Sequence, residues 1–131
     1  QLIFQDAKIL LEETDKRGWT SACVSASPYG LLKNKLLKAN IYDYFAYVIG
    51  GDQVKRNKPY PDIYNKAISE LQTTKNIVIE DSPPGISSGK ASGSFVVAID
   101  RGIFSISELN KADLVVDNLS IDVFENIFKS L

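Results

Sequence analysis

Ile77-Val78-Ile79-Glu80-Asp81-Ser82-Pro83-Pro84-Gly85 is the stretch on which the reading of this chain turns. Three β-branched apolar residues make a short buried-strand pattern that begins at Asn76. Two adjacent carboxylates end it, and a Ser-Pro-Pro-Gly turn leads into a helical stretch that reaches about Ala91. A buried strand has little reason to finish in paired charges unless those charges meet a ligand. Carboxylate oxygens are what Mg²⁺ selects, one or two of them with waters and substrate phosphate completing the shell. A divalent cation would also offset the repulsion between neighbouring carboxylates. The plainer alternative is an acidic turn with helix-capping duty.

Outward from this stretch, short apolar runs alternate with amphipathic ones. Strands are expected at 20–24, 46–49, 76–79, 95–99 and 114–116. Helices are expected at 4–17, with Gly18 as the stop, and at 28–39, with Ser27 as N-cap and Pro28 at the first helical position. Further helices are expected at 61–71 and 121–128. This alternation predicts a single α/β domain over 1–131, three layers with a mainly parallel, Rossmann-like sheet covered by helices on both faces. Such sheets bind ligands beyond the carboxyl ends of their strands.

Two more strand ends carry polar chemistry. Val24-Ser25-Ala26-Ser27-Pro28 ends a strand in hydroxyls and opens a helix, whose N-terminal amides and partial positive charge suit a phosphate. Ser25 could donate its hydroxyl to a phosphoryl oxygen while the Ala26 amide points at the same group; the bland reading makes both serines turn formers. In Arg56-Asn57-Lys58-Pro59-Tyr60-Pro61-Asp62 two prolines stiffen a helix entry and place Lys58 just before it. A lysine on a rigid turn is a sound point charge for a phosphate or a nucleophilic carboxylate. Asp62 reads as a first-turn residue that complements the helix dipole.

Composition removes several alternatives. With 15 basic and 16 acidic residues and a net charge of −1, nothing argues for nucleic acid or an anionic membrane as partner. The absence of histidine excludes Ser-His-Asp and Cys-His catalysis within this chain. Cys23, the single cysteine, sits in an apolar run and reads as a small buried hydrophobe. No stretch approaches the length of a transmembrane helix, and the cytoplasm is the expected compartment. A chain that opens on Gln1 and holds no methionine reads as a piece of a longer product.

Ser25, Lys58 33 positions later and Glu80-Asp81 another 22 on fall at successive strand ends or in the loops beyond them. In this order the three segments resemble motifs two, three and four of haloacid dehalogenase-like hydrolases, in the branch that contains β-phosphoglucomutase and related small phosphatases. The resemblance implies that Ser25 and the Ala26 amide hold the transferring phosphoryl group and that Lys58 neutralises phosphate and nucleophile. It implies that Asp81 binds Mg²⁺ directly and Glu80 directly or through water. It implies a Mg²⁺-dependent phosphohydrolase or phosphomutase acting on a small phosphorylated metabolite through an aspartyl-phosphate.

The family's first motif, Asp-x-Asp at the end of the first strand, is absent: Asp6-Ala7-Lys8 and Asp100-Arg101-Gly102 do not fit it. By resemblance the missing strand lies centrally, between the strands at 20–24 and 76–79, and a helical cap follows it. Strand and cap are expected from another part of the same gene product or from another chain, and this polypeptide alone is expected to hydrolyse little or nothing. The alternative is a noncatalytic module that binds phosphate and Mg²⁺. A receiver-type phosphoacceptor domain is disfavoured, because its lysine follows its acidic pair.

Overall fold

Strand β4 (Phe95–Ile99) is apolar at every position, and Val96, Val97 and Ala98 are wholly buried. Only a strand covered on both faces can afford such a run. The computed structural model, which describes residues 4–131, provides that cover. β4 pairs in parallel with β3 (Ile77–Glu80) on one side and β5 (Leu114–Val116) on the other. A second parallel sheet joins β1 (Ala22–Val24) to β2 (Tyr47–Ile49).

Among the described residues six α-helices flank the strands: α1 (Gln5–Lys16), α2 (Tyr29–Lys38), α3 (Asp62–Leu71), α4 (Pro83–Ala91), α5 (Ile106–Leu109) and α6 (Ile121–Ser130). Alternation along the strands assigns them to two faces. Val78, Val96 and Ala98 pack with Ile49 against Ile63 of α3, Ile86 of α4 and Leu109 of α5. Val97 and Ile99 face the other way, toward Leu10 of α1 and Phe124 and Ile127 of α6. Cys23 and Val48 continue that second face under Leu32 and Leu36 of α2. The result is the expected three-layer α/β/α arrangement, and every strand pair described is parallel. No described helix is long and apolar enough to cross a membrane.

The two sheets do not touch edge to edge. Between β1 and β3 lies a cavity of about 630 Å³, lined by Cys23 and Val24 on one side and by Ile77 and Ile79 on the other. All three residues of β1 are only half-buried, and Ile79 is 37% exposed although it belongs to an apolar strand. Among the described residues no strand pairs with the edge of β1 or β3 that borders this slot. α3 spans it from one face, packing on β1, β2 and α4. On the other face α1 packs beside α6, and Trp19 sets its ring edge-on to Phe128 with centroids 4.8 Å apart.

Local expectations shift in three places. Pro28 is the N-cap of α2 and has extended backbone, so the helix starts at Tyr29 and Ser27 does not cap it. The Tyr29 amide instead donates to Asp52 Oδ1 at 2.8 Å, a tertiary cap that local sequence does not reveal. The Ser-Pro-Pro-Gly segment is the first turn of α4, with Ser82 as N-cap and Pro83 at the first helical position, where a missing N–H costs nothing. α5, which the periodicity did not suggest because it is a single turn, is set by a capping box between Ser105 and Glu108. Gly18 takes a left-handed φ of 71° just past α1, as expected of a helix stop.

Candidate active site

The three strand-end segments converge on one cleft of about 620 Å³ at the carboxyl ends of β1 and β3. Ser25, Ala26, Lys58, Glu80 and Asp81 all line it. Val24 and Ile79 border both this cleft and the slot, so the cleft opens onto the gap between the sheets.

Ser25 and Ala26 follow β1 directly. The Ser25 amide donates to the Ile49 carbonyl at 3.1 Å, which extends the ladder by one bond, and Ser25 Oγ accepts from the Ser27 amide at 3.1 Å. Among the described residues no acceptor meets the Ala26 N–H. The loop is held from outside: Asn57 Nδ2 donates to the Ala26 carbonyl at 3.0 Å and the Gly51 amide donates to the Ser27 carbonyl at 2.9 Å. A methyl on Gly51 would overlap both Asn57 and the Ala26 carbonyl, so glycine is required for this close approach. Gly50, Gly51, Asp52 and Asn57 thus shape the loop.

Lys58 bonds to groups on both sides of the slot, at the ends of β1 and β3. Its Nζ donates to the Val24 carbonyl at 3.2 Å and to Glu80 Oε2 at 2.6 Å. The pair is almost closed to solvent, with side chains 10% and 8% exposed. Its turn is pinned on three sides. Arg56 makes two hydrogen bonds to Asp62, the Asn57 carboxamide accepts from the Lys58 amide, and buried Ser88 of α4 donates to the Tyr60 carbonyl at 2.6 Å. The Lys58-Pro59 peptide is cis. Asp62 stands in the first turn of α3, as read, with its carboxyl held below the usual range chiefly by hydrogen bonds from Arg56.

Glu80 and Asp81 part company at the end of β3. Glu80 turns inward, where Lys58 Nζ and the Tyr64 hydroxyl both donate to Oε2. A Cβ on Gly85 would overlap this carboxylate, so the first turn of α4 leaves room for it. Asp81 is exposed at the cleft. Burial and the adjacent Glu80 carboxylate hold the Tyr64 phenol well above its ordinary range, so it stays a donor. Two carboxylates match in kind and number what Mg²⁺ commonly takes from a protein. Among the described residues no group of three His, Cys, Asp or Glu gathers, so a metal ion at this pair would need oxygens from other groups as well.

Arg101 follows β4 at the far wall of the cleft. Its guanidinium makes a bidentate pair with Asp6 of α1 at 2.7 and 2.9 Å and lies 4.1 Å from the Phe4 ring. Asp6 also accepts from the Leu119 amide at 3.0 Å. This three-way contact joins α1 to the ends of β4 and β5. Neither Asp6 nor Arg101 was legible as a pair, because 95 positions separate them.

The sequence model for haloacid dehalogenase-like hydrolases matches residues 2–99. The chain belongs to this family. It is 30% identical to hexitol phosphatase A of Escherichia coli over 84% of its own length and 51% of that enzyme. It is 27% identical to a phosphoglycolate phosphatase of Vibrio vulnificus over 90% of its length and 54% of that protein. A β-phosphoglucomutase crystal structure from Clostridium difficile superposes over 98% of the chain, with a TM-score of 0.85 and 26% identity, and the match covers 57% of that protein. The chain spans about half the length of these relatives.

Proposed function

We propose that this chain supplies the phosphate- and metal-holding part of a Mg²⁺-dependent phosphohydrolase or phosphomutase that acts on a small phosphorylated metabolite. The nucleophilic aspartate enters on a parallel strand that fills the slot between β1 and β3. The observation that carries this reading is the position of Lys58, which bridges the end of β1 and Glu80 at the mouth of an unfilled, apolar, strand-lined cavity.

The geometry supports a role for each residue. The phosphoryl group lies against the Ser25 hydroxyl and the Ala26 amide, which is without a protein acceptor among the described residues. Lys58 lines the cleft with its ammonium on the Val24 carbonyl at the lip of the slot, and it lowers the charge repulsion between an incoming carboxylate and the phosphate. The carboxylate oxygen forms a bond to phosphorus as the bond to the leaving alkoxide breaks. Water, or a second substrate hydroxyl, then cleaves the aspartyl-phosphate. Glu80 and Asp81 would hold Mg²⁺, which supplies charge neutralisation at the phosphoryl oxygens. The filling strand and the cap come from the same gene product or from another chain.

Two experiments test the reading. The chain alone should not hydrolyse para-nitrophenyl phosphate. With a synthetic peptide of four apolar residues followed by Asp-x-Asp, it should do so in the presence of Mg²⁺. Peptide that neither binds nor supports turnover overturns the proposal. Mg²⁺-dependent binding of inorganic phosphate that persists without turnover in the complete gene product would favour the noncatalytic module instead.

A further inference from the structure

We infer that Tyr64 is a positioning residue that fixes the Glu80 carboxylate for metal binding, a role that rests on the reading of Glu80 as a Mg²⁺ ligand. Tyr64 lies in the first turn of α3, and its ring is part of the apolar core with Ile49, Ile63, Val78 and Ile86. At 6% exposure a phenylalanine would pack there as well, and a buried tyrosine needs a partner for its hydroxyl. That partner is Glu80 Oε2, the same oxygen that Lys58 Nζ reaches.

Two donors on one oxygen are not redundant, because only one of them can stay. Lys58 has a flexible stem and a second acceptor at the lip of the slot, the Val24 carbonyl. A phosphate or an entering carboxylate competes for its ammonium. Tyr64 has no such freedom: its ring is locked by packing, and it lies 5.2 Å from the Lys58 ammonium. When Lys58 turns to the phosphate, the tyrosine hydroxyl still satisfies Oε2. Gly85 completes the seat from the other side, since any side chain there would displace the carboxylate. Glu80 is therefore held between one fixed donor and one deliberate gap. Groups that orient a metal-binding carboxylate in this way are worth roughly 10- to 100-fold in metal affinity.

The test is a Mg²⁺ titration of the isotope-labelled chain followed by NMR at the Glu80 and Asp81 amides, which reads even millimolar affinity, together with thermal melts. Glu80→Gln should abolish the response. Tyr64→Phe, which keeps the ring and its packing, should weaken Mg²⁺ binding about 10-fold while the amides of β4 keep their shifts. Gly85→Ala should weaken it as well, and it stands in for Tyr64→Phe if that variant does not fold. If Glu80→Gln abolishes binding while Tyr64→Phe stays within twofold of the parent, the positioning role is wrong and the metal site stands. If Tyr64→Phe does not fold and Gly85→Ala binds like the parent, the role is equally wrong. If Glu80→Gln leaves binding unchanged, the metal reading fails and the role of Tyr64 falls with it.

Discussion

The three-stranded sheet and the two-stranded sheet are built from the same kind of apolar run, yet they are buried to very different degrees. β4 has both neighbours, and its four C-terminal residues are all at or below 5% exposure. β1 has one neighbour, and none of its three residues is fully buried. β3 is intermediate: Val78 is covered by α3 and α4, while Ile79 points at the slot and is exposed. The difference lies in pairing, since each sheet has helices on both sides. An unpaired edge leaves backbone donors and acceptors without partners and side chains without cover. The site is divided in the same way, with Ser25 and Ala26 on the two-stranded side and Glu80 and Asp81 on the three-stranded side. Lys58 is the polar bridge between them.

The sharpest way to break this arrangement is to remove that bridge. Lys58→Met leaves Glu80 as a buried charge with one donor fewer, and urea unfolding should show a loss of about 3 kcal/mol. Adding Glu80→Gln to the same chain should recover part of that loss, because the stranded charge is gone. Recovery of nothing would mean that Lys58 acts through packing alone.

The Asp6–Arg101 contact is the corresponding clamp between α1 and the three-stranded sheet, with both side chains about 15% exposed or less. Asp6→Ala should cost about 3 kcal/mol, as it leaves Arg101 and the Leu119 amide without their shared acceptor. Hydrogen bonds from Arg101 are the main cause that holds the Asp6 carboxyl below its ordinary value of 3.8. A depressed carboxyl contributes its stability above the unfolded pKa and loses it as pH falls through the folded one. The clamp is thus whole above about pH 4 and fades below it. Asp6→Asn should flatten that acid limb in melts taken across the range.

Matched truncations measure the two sheets directly. Val97→Ala at the wholly buried centre of β4 should destabilise by about 2 kcal/mol, and Cys23→Ala in half-buried β1 by less than about 1 kcal/mol. Equal losses would mean that β1 is better packed than its exposure indicates. Cys23 also reports on the slot itself. Burial pushes its thiol up to about 11, so alkylation at pH 7 should be slow, and a strand that fills the slot should slow it further.

How far the chain could be read beforehand follows from the range of the forces involved. β4 and β5 are found at the expected residues because uninterrupted apolar runs bounded by polar ones leave little choice. That Ser25, Lys58, Glu80 and Asp81 share one cleft was legible because each ends a strand or lies in the loop beyond one, and the carboxyl ends of parallel strands lie together. Asp52 capping α2, Asn57 holding the loop at Ala26, Tyr64 under Glu80 and Asp6 on Arg101 were not legible. Each is an ordinary polar residue whose role comes from a partner between 16 and 95 positions away.

Local pattern and spacing by themselves determined the alternation of strands and helices, the three layers and the identity of the strand-end residues. These depend on which side chains avoid water and on where the backbone can turn, and both are written in neighbouring residues. Tertiary structure alone decided that Glu80 turns inward while Asp81 stays in the cleft. It also decided that Lys58 bridges the ends of β1 and β3, and that a largely apolar slot separates those two strands. Those outcomes depend on which distant groups are brought within hydrogen-bonding reach, and only the folded chain sets that distance.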